Sequence, residues 1–397
     1  MAEKFERKVC ISGIGMSQVG RRLMRDPTVL VIDAAKQAIA DAGLTLADID
    51  GLATHPGPGH SHGGYSGPGV IELERILRVQ PKWFGSGMET FGHGGAVVNA
   101  ALAVAAGLCR HVLVFRSTWE ATYQALAREG KVAPARGSER VEGDMQWLLP
   151  FGAMSAANWI GAYANRHFQQ YGTTREQLGQ IALNARKNAL LNEAAIYRDP
   201  LTLDDYLSAR MISTPFGLYD CDTPCDGAIA VIVSHIDTRR DLRRPDPVRF
   251  EAVGCQMTEV PSWDQSTIEH EVLVEGAARS MWERTDLKPA DVRVAQLYDG
   301  FTFNCLTWLE MLGFCPVGEG GRFIEGGQRI ALDGELPLNT SGGQLSAGRL
   351  QGYGFIHEAC VQLWGEGGAR QVGGNPQVAV VSTGGGAPGG AILLTRE

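Results

Sequence analysis

The chain has 397 residues, 44% of them apolar and 20% charged, and its formal net charge is −8. This length allows a sizeable core and favours two fused domains over one. The negative charge argues against non-specific binding to nucleic acid. Eight cysteines without a signal peptide predict reduced thiols in a cytoplasmic protein, and no apolar run reaches the ~18 residues of a membrane span.

The first half of the chain begins with a predicted strand, helix and strand. Residues 8–17 form an apolar strand that ends in a glycine turn, and residues 27–44 have helical periodicity. Pro27 suits the first turn of that helix, and Gly43 suits its C-terminal cap. Residues 49–55 predict a short second strand.

The same order of elements returns in the second half. Residues 248–257 predict a strand, 268–287 a helix and 292–299 another strand. The segments that join helix to strand also match, because "LTLADIDGL" from Leu44 aligns with "LKPADVRVA" from Leu287 at one constant offset. A sequence match inside a repeated element order indicates an internal repeat.

We therefore predict two pseudo-equivalent α/β domains, at 1–240 and 245–397, with a mainly helical insertion at about 118–225. Repeated strand–helix–strand units predict largely parallel sheets that helices cover. The two halves should superpose strand for strand, with Tyr298 aligned on His55.

Two tyrosines of the second half are candidate site residues. Tyr298 and Asp299 lie where a predicted strand becomes a helix, and Tyr353 precedes the helix "FIHEACVQLWGE", so we place both tyrosines at strand-to-helix junctions. Ligands bind at the carboxyl ends of strands in open α/β sheets. Each tyrosine also has a structural interpretation, as a packed aromatic whose hydroxyl is satisfied.

The segment "NTSGGQLSAGRLQGYG", at 339–354, is too rich in glycine for an ordinary helix interior. Around Ser341, Gly342 and Gly343 it offers backbone N–H groups suited to a carbonyl, a phosphate or an amide-bearing arm. The alternative is a tight packing turn. A second glycine-rich segment, at 382–390, resembles a hairpin between two terminal strands.

No metal site is predicted. Cys221 and Cys225 have the spacing C-x₃-C without a second Cys or His pair nearby, and "HPGPGHSHGG" has the composition of a loop. His93 precedes a helix of small residues, where it either lines a site or is merely structural. No G-x-S-x-G, Walker A or dinucleotide-binding fingerprint occurs in the right context.

Taken in order, these motifs resemble the thiolase superfamily, in its lipid-transfer-protein branch near the sterol-carrier thiolases. The resemblance covers the whole chain and rests on the strand–helix opening, "DTPCDGAIAVIVS", "YDGF", "NTSGGQLSAGRLQGYG" and the terminal glycine-rich hairpin. It implies a thiolase-like α/β fold, in which two pseudo-repeated domains with mixed sheets sandwich buried helices in αβαβα layers. It also implies a pocket for a CoA thioester.

The reactive groups of the thiolases are missing from this chain. No cysteine precedes the small-residue helix in "METFGHGGAVV", Arg349 stands at the histidine position, and Ser382 lies near the position of the second cysteine. Tyr298 occupies the place of an oxyanion-binding polar group. Exchange through an acyl-cysteine therefore cannot run in this site.

What remains resembles the bacterial steroid side-chain aldolases, which cleave a β-hydroxyacyl-CoA by a retro-aldol reaction. Such a reaction needs a base, an oxyanion site and a proton donor. A phenol has a reference pKa of ~10 and needs a perturbing environment to act as a base, which Arg349 or Asp299 would help to set. The resemblance implies the following residues: catalytic Tyr298, Tyr353, Asp299 and His93, and, around the CoA thioester, Ser341, Gly342, Gly343 and Arg349.

The predicted substrate is a 17-hydroxy steroid C-22 CoA thioester, which would give a ketone and propionyl-CoA without any further cofactor. The alternative function is a catalytically inactive acyl-CoA or lipid carrier, and the two tyrosines favour the lyase because a carrier does not need them. A third candidate, an acyltransferase with an unusual nucleophile, is disfavoured by the missing Cys and His. The resemblance also implies a homodimer, completed to a heterotetramer by a DUF35-type subunit with a zinc ribbon and an OB-fold.

Overall fold

The computed structural model describes most of the chain. The described residues are 4–56, 64, 67–87, 90, 94–133, 141, 145–257, 274–385 and 389–396. Eleven strands lie among them: β1 Val9–Met16, β2 Gly51–Thr54, β3 Trp83–Ser86, β4 His111–Trp119, β5 Met211–Ser213, β6 Phe216–Gly217, β7 Asp226–His235, β8 Val248–Gly254, β9 Val294–Gln296, β10 Val378–Thr383 and β11 Gly390–Thr395. The same residues contain twelve α-helices: α1 Pro27–Ala42, α2 Val70–Leu77, α3 Gly94–Ala105, α4 Glu120–Arg128, α5 Met145–Leu148, α6 Ala156–Tyr171, α7 Arg175–Leu190, α8 Leu203–Ser208, α9 Glu275–Trp282, α10 Thr302–Met311, α11 Gly320–Ile324 and α12 Tyr353–Trp364.

Helix α1 begins and ends where its sequence predicts. The Asp26 carboxylate accepts the N–H of Thr28 at 2.7 Å, and Pro27 is the first helical residue, where a missing N–H does no harm. Gly43 ends the helix with φ of 76°, a left-handed conformation that glycine adopts without strain. Both predicted end residues are confirmed.

Nine strands form one mixed sheet in the order β3-β2-β4-β7-β1-β8-β11-β10-β9. In the described residues, five of its eight pairings are antiparallel and three are parallel. The prediction of largely parallel strands is therefore wrong. Strand β7 follows the helical insertion and β11 is the second strand of the terminal hairpin. Each of these two strands is antiparallel to both of its neighbours in the sheet. The mixed sheet implied by the family resemblance is confirmed.

The strand order repeats on the two sides of the β1–β8 pairing. Strand β1 is followed by β7, β4 and β2, and β8 is followed by β11, β10 and β9, with the same sequence of antiparallel and parallel pairs. The turns before β2 and β9 also match, because the backbone N–H groups of Thr45 and Lys288 donate to Asp48 and Asp291 at 2.8 Å each. The exact domain boundaries and the superposition of Tyr298 on His55 stay predictions.

Three apolar cores divide the molecule into five layers. One core lies between the two parts of the sheet and contains α3 and α12, which are buried on nearly all sides. A second core packs α1 and α2 on the outer face of the first part, and a third packs α9 and α10 on the outer face of the second part. The predicted αβαβα arrangement is confirmed.

The described part of the segment between β4 and β7 is mainly helical and carries α4 to α8. Its helices α6 and α7 contribute Ile160, Tyr163 and Leu178 to the core around α10, so the segment covers the second half of the molecule. None of the helices in the described residues is long and apolar enough to cross a membrane.

Gly15→Ala tests the contact between β1 and α1. A Cβ at this position would lie 2.2 Å from the carbonyl oxygen of Ala34, so strand and helix must separate. We expect the free energy of unfolding to fall by about 1–3 kcal/mol or more, measured by denaturant titration. The control is Gly373→Ala, where nothing lies within 4 Å. Equal stabilities of the two variants would contradict the close packing of this layer.

Candidate active site

Tyr298 follows the end of β9 and is fixed through its backbone and its ring. Its N–H donates to the Ser382 hydroxyl at 2.8 Å, and its ring meets Phe355 edge-on at 6.4 Å between centroids. A Cβ on Gly300 or on Gly385 would come within 2.8 Å of the tyrosine ring. The two glycines therefore leave the space in which the ring lies, and Ser382 holds the backbone of Tyr298.

Asp299 is fully buried and binds the glycine-rich loop. Its carboxylate accepts the N–H of Gln344 at 2.8 Å and the side-chain amide of Asn339 at 3.1 Å. A Cβ on Gly343 would lie 1.9 Å from a carboxylate oxygen, so this position needs glycine. Burial raises the pKa of Asp299 to about 7, against the opposing effect of the Gln344 N–H.

Three asparagines of the insertion hold the same loop from its other side. Asn184 and Asn188, on α7, donate to the carbonyl oxygen of Leu338 at 3.0 and 2.9 Å, and Asn192, just beyond the helix, donates to that of Ser341 at 2.9 Å. Residues spaced by four lie on one face of a helix. Sequence analysis missed this row, although its spacing is visible in "LNARKNALLN".

Arg349 lies between two acidic residues. Its guanidinium donates to Asp222 at 2.7 Å and to Glu120, and its backbone N–H donates to the carbonyl oxygen of Thr223 at 2.9 Å. Burial raises the pKa of Asp222 to about 7, and Arg349 opposes that rise. The arginine predicted for the CoA thioester pocket thus has its charge engaged by carboxylates.

Tyr353 is the first residue of α12, but no strand precedes it. The residues before it are irregular, and Gln351 and Gly352 both have left-handed backbones, with φ of 53° and 85°. The prediction of a strand-to-helix junction is wrong at this tyrosine. The left-handed residues turn the chain too sharply for a strand to form.

The hydroxyl of Tyr353 is buried and makes no hydrogen bond of ordinary geometry with the described residues, although the backbone of His55 lies close enough to act on its pKa. Burial raises its pKa well above the ordinary range, whereas the Arg116 cation and the backbone of His55 act in the other direction. Arg116, on β4, donates to the side chain of Gln351. An unsatisfied buried hydroxyl is rare and calls for an explanation.

The structure brings most of the predicted site residues together. Asp299 meets Gly343, and Phe355 links Tyr298 to the helix that Tyr353 opens. Beside them, a cavity of about 40 Å³ is lined by several residues of the loop and of α12, including Ser341, Gly343, Gln344, Gly348, Phe355 and Glu358. Gly342, whose backbone is left-handed, precedes the same turn.

His93 and the three-histidine segment at 55–62 cannot all be placed. His93, His60 and His62 lie outside the described residues, so their proposed interpretations stay predictions. The next residue, Gly94, begins α3 against Thr383, since a Cβ there would lie 3.0 Å from the threonine side chain. In the described part of the chain, no cluster of His, Cys, Asp and Glu is arranged to hold a metal ion.

The cysteines around the site are unsuited to nucleophilic chemistry. Burial raises the pKa of Cys221 and of Cys225 to about 12, which disfavours their thiolates. The motif "CDTPCDGA" contributes Asp222 instead, a residue that sequence analysis passed over because it considered the motif only for its cysteines. Glu120 and Arg116 carried no sequence signal.

The chain is similar to known proteins over nearly its whole length. A family model described as thiolase C-terminal domain-like matches residues 259–393. The chain is 33% identical over 394 residues to a steroid side-chain-cleaving aldolase of Thermomonospora curvata, covering 98% of this chain and 97% of that protein. It is 32% identical over 397 residues to a 17-hydroxy-3-oxo-4-pregnene-20-carboxyl-CoA lyase of Mycobacterium tuberculosis, covering 98% and 99%.

A solved structure is also similar over nearly the whole length. The Ltp2–ChsH2(DUF35) aldolase matches with a TM-score of 0.84 at 31% identity, covering 98% of each chain. Together with the sequence relatives, this match confirms the predicted resemblance to steroid side-chain aldolases.

Asp299→Asn tests the buried carboxylate through pH. Because the pKa of Asp299 rises from 3.8 to about 7, the folded protein binds this proton more tightly than the unfolded chain does. Its contribution to stability is therefore complete below about pH 4 and is lost as the pH rises to about 7. The free energy of unfolding of wild type relative to Asp299→Asn should fall across this window, by at most roughly 1.4 kcal/mol per pH unit.

Denaturant titrations across this pH range measure the difference. The surface variant Asp204→Asn, which also removes one carboxylate at an exposed position, is the control. Parallel pH profiles for wild type and Asp299→Asn would show that burial does not govern this group.

Proposed function

The chain belongs to the thiolase superfamily, in its branch of steroid side-chain-cleaving aldolases, and from this premise we propose a retro-aldol cleavage of a β-hydroxyacyl-CoA. The substrate we propose is a 17-hydroxy steroid C-22 CoA thioester, and the products are a 17-ketone and propionyl-CoA. The relative named for a 17-hydroxy pregnene carboxyl-CoA supports this substrate class.

The buried hydroxyl of Tyr353 is the observation that carries the proposal. In the described residues it makes no hydrogen bond of ordinary geometry, with only the backbone of His55 acting on it, and a polar group left poorly satisfied in a core is unfavourable. A substrate hydroxyl would satisfy it. A catalyst has a use for such a hydroxyl group. If the ring of Tyr353 only packed against its neighbours, a phenylalanine at this position would be more favourable.

We assign Tyr353 to the substrate hydroxyl and Tyr298 to the enolate. The phenolate of Tyr353 takes the hydroxyl proton, the bond between the α and β carbons breaks, and its electron pair enters the thioester as an enolate while the ketone forms. The phenol of Tyr298 then protonates the α carbon. One proton has moved from Tyr298 to Tyr353, and its return resets the site.

Burial raises the pKa of both tyrosines above the ordinary range. This suits Tyr298, which starts as a neutral donor. Among the residues that the structure describes, the cation of Arg116 favours the phenolate of Tyr353. Asp299 positions the glycine-rich loop for the thioester, with Ser341, Gly342 and Gly343 facing the pantetheine arm, and His93 remains proposed for the same site.

An acyl-CoA or lipid carrier is the alternative function. A carrier would bind the thioester without breaking a carbon–carbon bond, and it would not depend on either phenol hydroxyl. The names of the sequence relatives and the presence of two tyrosine hydroxyls in one buried region of this chain favour the lyase.

Tyr298→Phe and Tyr353→Phe should each lower kcat by at least ~100-fold, because a positioned acid or base is typically worth ~10²–10⁴-fold. Binding of the CoA thioester should change little, since the ring stays in place. The assay incubates the steroid thioester with the protein and measures ketone and propionyl-CoA.

Tyr163→Phe is the matched control for these variants. Tyr163 is a buried tyrosine on α6, whose pKa burial also raises, but it lies in the core of the outer layer. Its variant should turn over normally. Near wild-type turnover by both site variants would assign the tyrosines to packing, and tight thioester binding without products would favour the carrier.

We propose that a DUF35-type subunit completes the enzyme, as two copies bound to a homodimer. The solved relative is named as an aldolase with a DUF35 component. All eight cysteines are free thiols, in keeping with the proposed cytoplasmic location.

The isolated chain should be insoluble or weakly active, and co-expression with a DUF35-type protein should restore turnover. The two proteins should co-elute at the mass of a heterotetramer in size-exclusion chromatography with light scattering. Strong turnover by the purified chain alone, at any protein concentration, would remove the requirement for the second subunit.

A further inference from the structure

Arg349 and its two carboxylates form an ion cluster that the proposed reaction does not use directly. The guanidinium donates to Asp222 at 2.7 Å and also to Glu120. The side chains of Asp222 and Glu120 are 7% and 6% exposed, and that of Arg349 is 18% exposed. Ionised groups with so little solvent around them act strongly on their neighbours.

The cluster lies directly beside Tyr298. The backbone N–H of Asp222 donates to the carbonyl oxygen of Gly300 at 3.1 Å. A Cβ on Gly300 would lie 2.9 Å from the hydroxyl oxygen of Tyr298. Gly300 thus separates the phenol hydroxyl from the ion cluster, and it does so without a side chain.

We propose that Arg349, held between Glu120 and Asp222, is a positioning residue for Tyr298, and that its cation stabilises the phenolate formed when Tyr298 gives its proton to the enolate. This inference rests on the role of Tyr298 in the proposed function. Asp222 has two effects, because it orients the guanidinium and its own negative charge opposes the phenolate.

The charges that face Tyr298 fix the sign of each effect. Among the described residues, Asp222 and Asp299 raise its pKa, Arg349 lowers it, and Gln344 is a neutral polar neighbour that also lowers it. Glu120 faces Arg349 and Asp222 rather than the phenol. Removing Arg349 should therefore raise the pKa of Tyr298, and removing the charge of Asp222 should lower it.

A purely structural ion pair would behave differently. Arg349→Gln and Asp222→Asn break the same salt bridge, so loss of a brace would affect both variants in the same direction. Shifts of the Tyr298 pKa in opposite directions in the two variants can come only from the charges of Arg349 and Asp222. Arg349→Lys keeps the cation and should restore most of the wild-type behaviour.

The direct test places a fluorinated tyrosine at position 298 by codon suppression and follows its titration by fluorine NMR. Fluorine lowers the pKa of the phenol, so that the titration of Tyr298 can be followed at alkaline pH. Asp222 is ionised under these conditions. Relative to wild type, we expect the midpoint to move up by about one unit in Arg349→Gln and down by about one unit in Asp222→Asn.

Arg284→Gln is the matched control. Arg284 makes a two-point ion pair with the buried Glu6, at 2.7 and 2.8 Å, and neither residue is among the charges that act on Tyr298. Its loss should lower stability without moving the titration of Tyr298. Shifts of the same sign in Arg349→Gln and Asp222→Asn, or no shift in either, would overturn the inference.

The pH profile of kcat gives a second measurement. Because Tyr298 must be protonated to act, the alkaline limb should move up in Arg349→Gln and down in Asp222→Asn. The NMR titration needs no turnover, so it decides the electrostatic inference even if the aldolase assay fails. If the wild type shows normal aldolase activity but the titration of Tyr298 does not move in either variant, the inference about Arg349 is wrong and the proposed function still stands.

Discussion

The buried carboxylate of Asp299 connects the end of β9 to the glycine-rich loop. A buried ionisable group needs partners, and Asp299 finds them in the N–H of Gln344 and the amide of Asn339. The contact is so close that a side chain at Gly343 has no room. The position of this loop in turn determines where Arg349 and the start of α12 lie, and so where both tyrosines are presented.

The charges around this contact are unbalanced. Asp299, Asp222 and Glu120 surround the described side of the site, with Arg349 as the cation between two of them. Such surroundings favour neutral phenols, which suits a proton donor better than a base. The pair of tyrosines is therefore asymmetric: Tyr298 lies beside the ion cluster, whereas Tyr353 faces Arg116 from β4. The proposed reaction needs such asymmetry, because one tyrosine must accept a proton as a phenolate while the other gives one as a phenol.

Local features of the fold could be predicted from the sequence, and distant contacts could not. Pro27 and Gly43 define the ends of α1 through their own backbone preferences. The strand before Tyr353 was wrongly predicted because left-handed backbone at Gln351 depends on its partner Arg116, 235 residues away. The acids that hold Arg349 are 127 and 229 residues away from it, so no local pattern indicates them. The tyrosines became candidates through their predicted places at the starts of helices, and the family resemblance implied their catalytic roles.

The row of asparagines on α7 has a consequence for how the molecule folds. Each of its bonds to the glycine-rich loop joins residues 149 to 154 positions apart. Closing so long a stretch of chain is entropically unfavourable until both ends are already ordered. We therefore expect the loop to settle late, after the helical insertion has docked on the second half. The candidate site would then form as the final step of folding, and during synthesis the asparagines leave the ribosome about 150 residues before the loop that they bind.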